Sequence, residues 1–243
     1  MARQPQPLSA IEAQRRTYII TPLLAKDTWH ALRIRAALHT ANDVVSQKDF
    51  EGPSRFGDTY NVVQNSMALS VALALARLLD VSANRLPIEQ QDKASIPVLA
   101  HLLKRHDVQG TLIEAARTWH PHLMGGAELG EATCREALSQ ALSLFEAHTA
   151  SAEDQEAHAR LRAFRTGRLA HHLFDALPQD LPRFEDLDAL ADFARSFVRQ
   201  AVLAVEGHDR DLSCEEQIKM TMNKEFWATA LSATLRAEQG SAE

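Results

Sequence analysis

Apolar side chains in this chain return every three or four residues over long stretches, and nowhere do they alternate with polar ones for the length of a useful strand. That spacing lines one face of a helix and leaves no face for a sheet, so the chain is committed to helices packed on helices. From Leu23 to Ser46 the series is Leu24, Trp29, Leu32, Ala36, Leu38 and Val45, with Pro22 placed to open the helix. Gly52, Pro53 and Gly57 end it. Asp58 then caps a second helix, Thr59 to Leu79, whose apolar residues leave so little polar surface that a central position is expected. A polar connection from Asp80 to Ala94 leads to a shorter helix from Ser95 to His106, and a less regular part follows. Periodicity resumes from Glu131 to Ala147. Ser151, with Glu153, Asp154 and Glu156 behind it, suits the start of the next helix, which Pro178 and Pro182 close. Phe184 to Glu206 and about Ser213 to Leu235 complete the series. The expected fold class is all-α.

The 243 residues suffice for one sizeable helical domain with appendages. The divisions expected are an N-terminal arm (1–17), a helical domain (18–207) and a C-terminal helical extension (208–243). Nine Gly and nine Pro leave few sharp turns. Cys134 and Cys214 are too few for a disulfide framework or a four-thiolate zinc site, and read as thiols in a reducing cytoplasm. The start, MARQPQPLSAIEAQRR, has no apolar core of a secretory leader. The most apolar run, Met67 to Leu79, falls short of the roughly 18–20 residues that span a bilayer. The expectation is a cytoplasmic protein with no membrane segment. A net charge of −6 excludes coating of nucleic acid by bulk charge, so any contact with RNA or DNA has to be local.

Metal and cofactor chemistry find no support in the pattern. His120 and His122 flank Pro121 without a Cys or acidic partner at ligand spacing, and no His has a Glu three residues before it, as a carboxylate-bridged diiron bundle would require. Gly-rich phosphate loops, nucleophile elbows and kinase signatures are absent from the sequence. Trp29, Trp119 and Trp227 read as packing anchors, and Arg33, Arg35 and His39 as a solvated face.

One window stands apart. Between Glu156 and Asp175 lie Arg160, Arg162, Arg165 and Arg168 with His158, His171 and His172, and no carboxylate, in a chain of 32 acids. Such a cluster suits a polyanion. On an unbroken helix Arg165 and His172 lie within about 20° of each other and Arg165 and His171 about 120° apart. Thr166 and Gly167 weaken the helix just there, so that either imidazole can share a phosphate with Arg165.

The run R-T-G-R-L-A-H-H resembles the Arg-to-His motif of the HEPN superfamily, an Arg followed four to six residues later by a His, late in a helical bundle. Together with the early helix WHALRIRAALHTANDVVSQKDF, the helix ending LARLLD and the segment SIPVLAHLLKR, it resembles the AbiU-type abortive-infection branch, over about residues 18 to 205. The resemblance implies a HEPN-type helical bundle acting as a metal-independent endoribonuclease in phage defence, or as a toxin with an antitoxin partner. Arg165 and His171 would be its catalytic pair, His171 because it follows Leu169 and Ala170 as the family histidine does; Thr166, Arg168 and His172 would bind substrate. Thr166 stands where many relatives carry Asn. It also implies a homodimer in which two motifs face each other across an interface that includes the helix around residues 153–174. No cofactor is implied. Two other readings stay open beside it, a bundle that holds a nucleotide or RNA without cutting it and a structural helical dimer.

Overall fold

The computed structural model describes residues 7–47, 57–81, 86–166 and 182–239, with only the backbone of 234–239. Among these residues there are eight α-helices and no strand: α1 (Ala10–Ser46), α2 (Gly57–Leu78), α3 (Ile96–Leu103), α4 (His106–Ala116), α5 (Gly126–Ala150), α6 (Ala152–Phe164), α7 (Phe184–Glu206) and α8 (Leu212–Gln239). The fold is all-α, and none of these helices is long and apolar enough to cross a membrane.

The chain divides into two compact units, Met1–Thr28 with Ala74–Arg210, and Trp29–Leu73 with Asp211–Glu243. In the first, α5 and α7 form the central pair. Ala137, Leu138, Ala141 and Phe145 of α5 are buried, as are Leu190, Ala194, Phe197, Val198 and Ala201 of α7, and the Phe145 and Phe197 rings lie 6.2 Å apart. The Cys134 thiol donates to the Ala204 carbonyl at 3.4 Å, and burial pushes it up to about 11, which makes it an inert core group. Nearly every residue of α3 is buried, as expected of a helix that is apolar all round. Gly130 permits the close seat of α5, since a Cβ there would lie 2.1 Å from the Ala116 carbonyl oxygen.

In the second unit, Asn42 of α1 accepts hydrogen bonds from Tyr60 and Gln64 of α2, each at 2.8 Å, and the Trp227 ring of α8 meets Tyr60 edge-on at 6.3 Å. Arg35 of α1 is not solvated. It is buried in a two-pronged pair with Glu216 of α8, Nε to Oε1 at 2.9 Å and Nη2 to Oε2 at 2.9 Å.

Several boundaries differ from the sequence reading. Pro22 lies inside α1 rather than at its start, because Ala13, Thr17, Ile20 and Thr21 are buried ahead of it and carry the helix through. The less regular part after His106 opens with α4, which ends at Ala116 before a run of turns, and Gly126 belongs to α5. Nor is α2 central along its length: Val71 to Leu79 are mostly buried, but Val62 is 64 % exposed and Val63, Leu69 and Leu73 are exposed too. An apolar run without a polar face carries no record of which side its partners take.

His148, on α5, is buried with its ring stacked on Phe193 at 3.7 Å. Its Nδ1 lies 3.3 Å from Asp154, too poorly aligned for a full hydrogen bond. Burial dominates and holds the imidazole below its ordinary range, against the pull of Asp154 and with a push from His158. The unfolded chain therefore binds more protons than the folded one below about pH 6.5, so stability is complete above that pH and declines as the pH falls through it. The melting temperature is expected to fall from pH 7 to pH 5, by about 2–4 °C per kcal/mol lost, and His148→Gln to flatten the decline. Equal slopes for parent and variant in calorimetry would contradict this origin.

Candidate nucleic-acid interface

The arginine and histidine window begins on α6, whose first turn is fixed by Ser151, its hydroxyl accepting from the Asp154 amide at 3.2 Å. Ala157 and Leu161 turn inward. The residues on the same side, His158, Arg162 and Arg165, line a cleft of about 320 Å³ together with Thr166, Asp80 and Lys93, a size at the lower end for small-ligand sites, which run from about 300 to 1,000 Å³. Regular α-helix ends at Phe164, and the backbone widens into a π-turn at Arg165 and Thr166. Thr166 and Gly167 were the reason to expect a departure there, and π-turns recur at functional positions.

The cluster is less bare than its sequence. Arg165 pairs with Asp80, Nη1 to Oδ1 at 2.5 Å, and the second oxygen of Asp80 pairs with Lys93. Burial tends to raise the Asp80 carboxyl, but the hydrogen bonds from Lys93 and Arg165 outweigh it and hold the group below the usual carboxylate range. Arg160 is committed elsewhere, to Asp186 of α7 through Nε at 2.8 Å and Nη2 at 2.6 Å. Arg162 has no carboxylate partner among the described residues. Burial, with a lesser push from Arg162, holds His158 neutral below its ordinary range, although it hydrogen-bonds to the Leu79 backbone.

Of the residues singled out in the sequence, Arg165 and Thr166 are thus brought to one cleft. Arg168, His171 and His172 lie outside the described residues. Sequence reasoning missed Asp80 and Lys93, which sit in a polar connection with no local motif. Arg165 keeps 44 % of its side chain exposed, and one carboxylate cannot occupy all five of its donors, so the guanidinium retains capacity for a second acceptor such as a phosphate. Among the described residues no cluster of three metal-ligating side chains occurs.

No curated protein and no solved structure matches the chain. The model of the AbiU2 family, a HEPN family, matches residues 21–217, a span that takes in α2 to α7, the cleft and the whole arginine and histidine window. With that match over most of its length, the chain belongs to the AbiU2 family of HEPN proteins.

Proposed function

We propose that this protein is a metal-independent endoribonuclease of the abortive-infection type, and that its substrate is RNA. The observation that carries the reading is the seat of Arg165: half-exposed, at a π-turn, in a cleft with Lys93 and Arg162. In the reaction the ribose 2′-oxygen bonds to the adjacent phosphorus and the bond from phosphorus to the 5′-oxygen breaks. The products are a 2′,3′-cyclic phosphate and a 5′-hydroxyl. One proton leaves the 2′-hydroxyl and one joins the departing 5′-oxygen. An imidazole, whose reference range lies near 6.5, can take the first or give the second, a role that falls to His171, while Arg165 holds the charge that builds on the phosphoryl oxygens. Arg168, His172 and Thr166 bind the RNA. A homodimer supplies the second acid–base group from the other chain's motif. Such an enzyme works in the cytoplasm, and in a toxin role an antitoxin partner holds it silent.

The nucleophile belongs to the substrate, so cleavage is expected to persist in excess EDTA, to leave cyclic phosphate ends and to spare DNA of the same sequence. Electrophoresis of end-labelled oligonucleotides, with mass spectrometry of the products, reads all three. Activity that requires added magnesium, or that cuts DNA equally well, would overturn the mechanism.

A further inference from the structure

The cleft beside Arg165 draws on three separated parts of the chain. Asp80 follows the C-terminal end of α2, Lys93 precedes α3, and Arg162 and Arg165 come from α6 and the turn beyond it. The Asp80 carboxylate divides its oxygens between two cations, Oδ1 to Arg165 and Oδ2 to Lys93. Two long flexible side chains, 72 residues apart in sequence, are thereby fixed at the spacing of a single carboxylate. Among the described residues that line the cleft, three cations, Lys93, Arg162 and Arg165, face one acid, Asp80, so this lining keeps positive charge after its internal pairing.

We propose that Asp80 is a positioning residue that presents Arg165 and Lys93 as a preformed pair of phosphate-binding cations, with Lys93 a second contact to the RNA backbone. The identity of the ligand rests on the ribonuclease reading. Two opposing effects decide the sign. Holding a long side chain in its bound geometry is worth up to about tenfold in affinity for each chain held. The repulsion between a phosphate and a carboxylate already shared by two cations is at most about fivefold at physiological salt. Ordering wins.

The test is fluorescence anisotropy of the full chain with a single-stranded 2′-O-methyl oligonucleotide, which binds but has no nucleophile. Asp80→Ala is expected to weaken binding about tenfold, and Asp80→Asn, which keeps one acceptor oxygen, to recover part of the loss. Lys93→Ala is expected to weaken binding several-fold and to lower the salt slope by about one. In a background lacking both cations, Lys93→Ala with Arg165→Ala, adding Asp80→Ala is expected to change affinity less than twofold, because its route of action is gone. Tighter binding by Asp80→Ala or Asp80→Asn would overturn the inference and make Asp80 a competitor for the phosphate. The same loss with and without the two cations would overturn it as well, leaving a general structural role. A parent that binds the oligonucleotide but does not cut its ribose form sinks the ribonuclease reading alone, and the variants still decide the role of Asp80. A parent that binds no RNA overturns both.

Discussion

His171→Ala is expected to lower RNA cleavage by about 10²-fold or more while leaving RNA affinity nearly unchanged. The reason is the division of labour in the proposed reaction. An imidazole that moves a proton acts only on the way to the transition state, and positioned acid–base groups are worth about 10²–10⁴-fold. A guanidinium on the phosphate acts in the ground state as well. Arg165→Ala is therefore expected to weaken both binding and cleavage, through loss of a charge-assisted contact worth about 1.5–3 kcal/mol. Single-turnover cleavage beside equilibrium binding separates the two. His172→Ala is expected to cut like the parent. The reverse pattern for the two histidines moves the catalytic role one residue along, and a pair of variants that both cut and bind like the parent reduces the cluster to a solvated face. Loss of binding together with cleavage in His171→Ala would make the imidazole a ligand contact, the behaviour of a module that holds RNA without cutting it.

What the sequence disclosed and what it hid follow one physical line. Helices were readable because each carries its own periodicity. The bounds of α7 agree with the reading from Leu187, Leu190, Phe193 and Phe197, and Ser151 announces the start of α6 through its own capping chemistry. Pro22 misled because a local rule about proline yields to the burial of Thr17, Ile20 and Thr21 around it. That Arg165 and Thr166 share a cleft was within reach of the sequence, because they are adjacent in one contiguous window. Its charge balance was not. A window without carboxylates read as bare, yet Asp186 lies 26 residues from Arg160 and pairs with it, and Asp80 reaches Arg165 from the end of α2. Lys93 entered the cleft the same way. Spacing along one helix says which residues share a face, and it is silent about which distant acid the fold lays against that face.

The pair Arg35 and Glu216 is the strongest case of such hidden partnership, and the largest expected effect on stability falls there. Read in sequence, Arg35 belonged to a basic face with Arg33 and His39; in the structure its side chain and that of Glu216 are each more than nine-tenths buried. Two hydrogen-bonded prongs at 2.9 Å make the geometry that lets a buried ion pair recover its cost of desolvation. Removing one partner takes both prongs from a charge that stays buried, and breaking a buried pair costs about 3–5 kcal/mol. Glu216→Ala is therefore expected to lower the melting temperature by about 6–20 °C, at about 2–4 °C per kcal/mol for a chain of this size. Replacing both groups with apolar ones, Arg35→Met with Glu216→Leu, is expected to recover most of that loss, since both charges of the pair are then gone. Circular dichroism melts of the parent, the single variant and the double variant distinguish the outcomes. A single variant that melts within about 2 °C of the parent would mean that water reaches the pair and screens it, as it does for an exposed ion pair. A double variant no more stable than the single one would mean that the loss comes from side-chain packing between α1 and α8, and that the charge of Arg35 is not what makes Glu216 necessary.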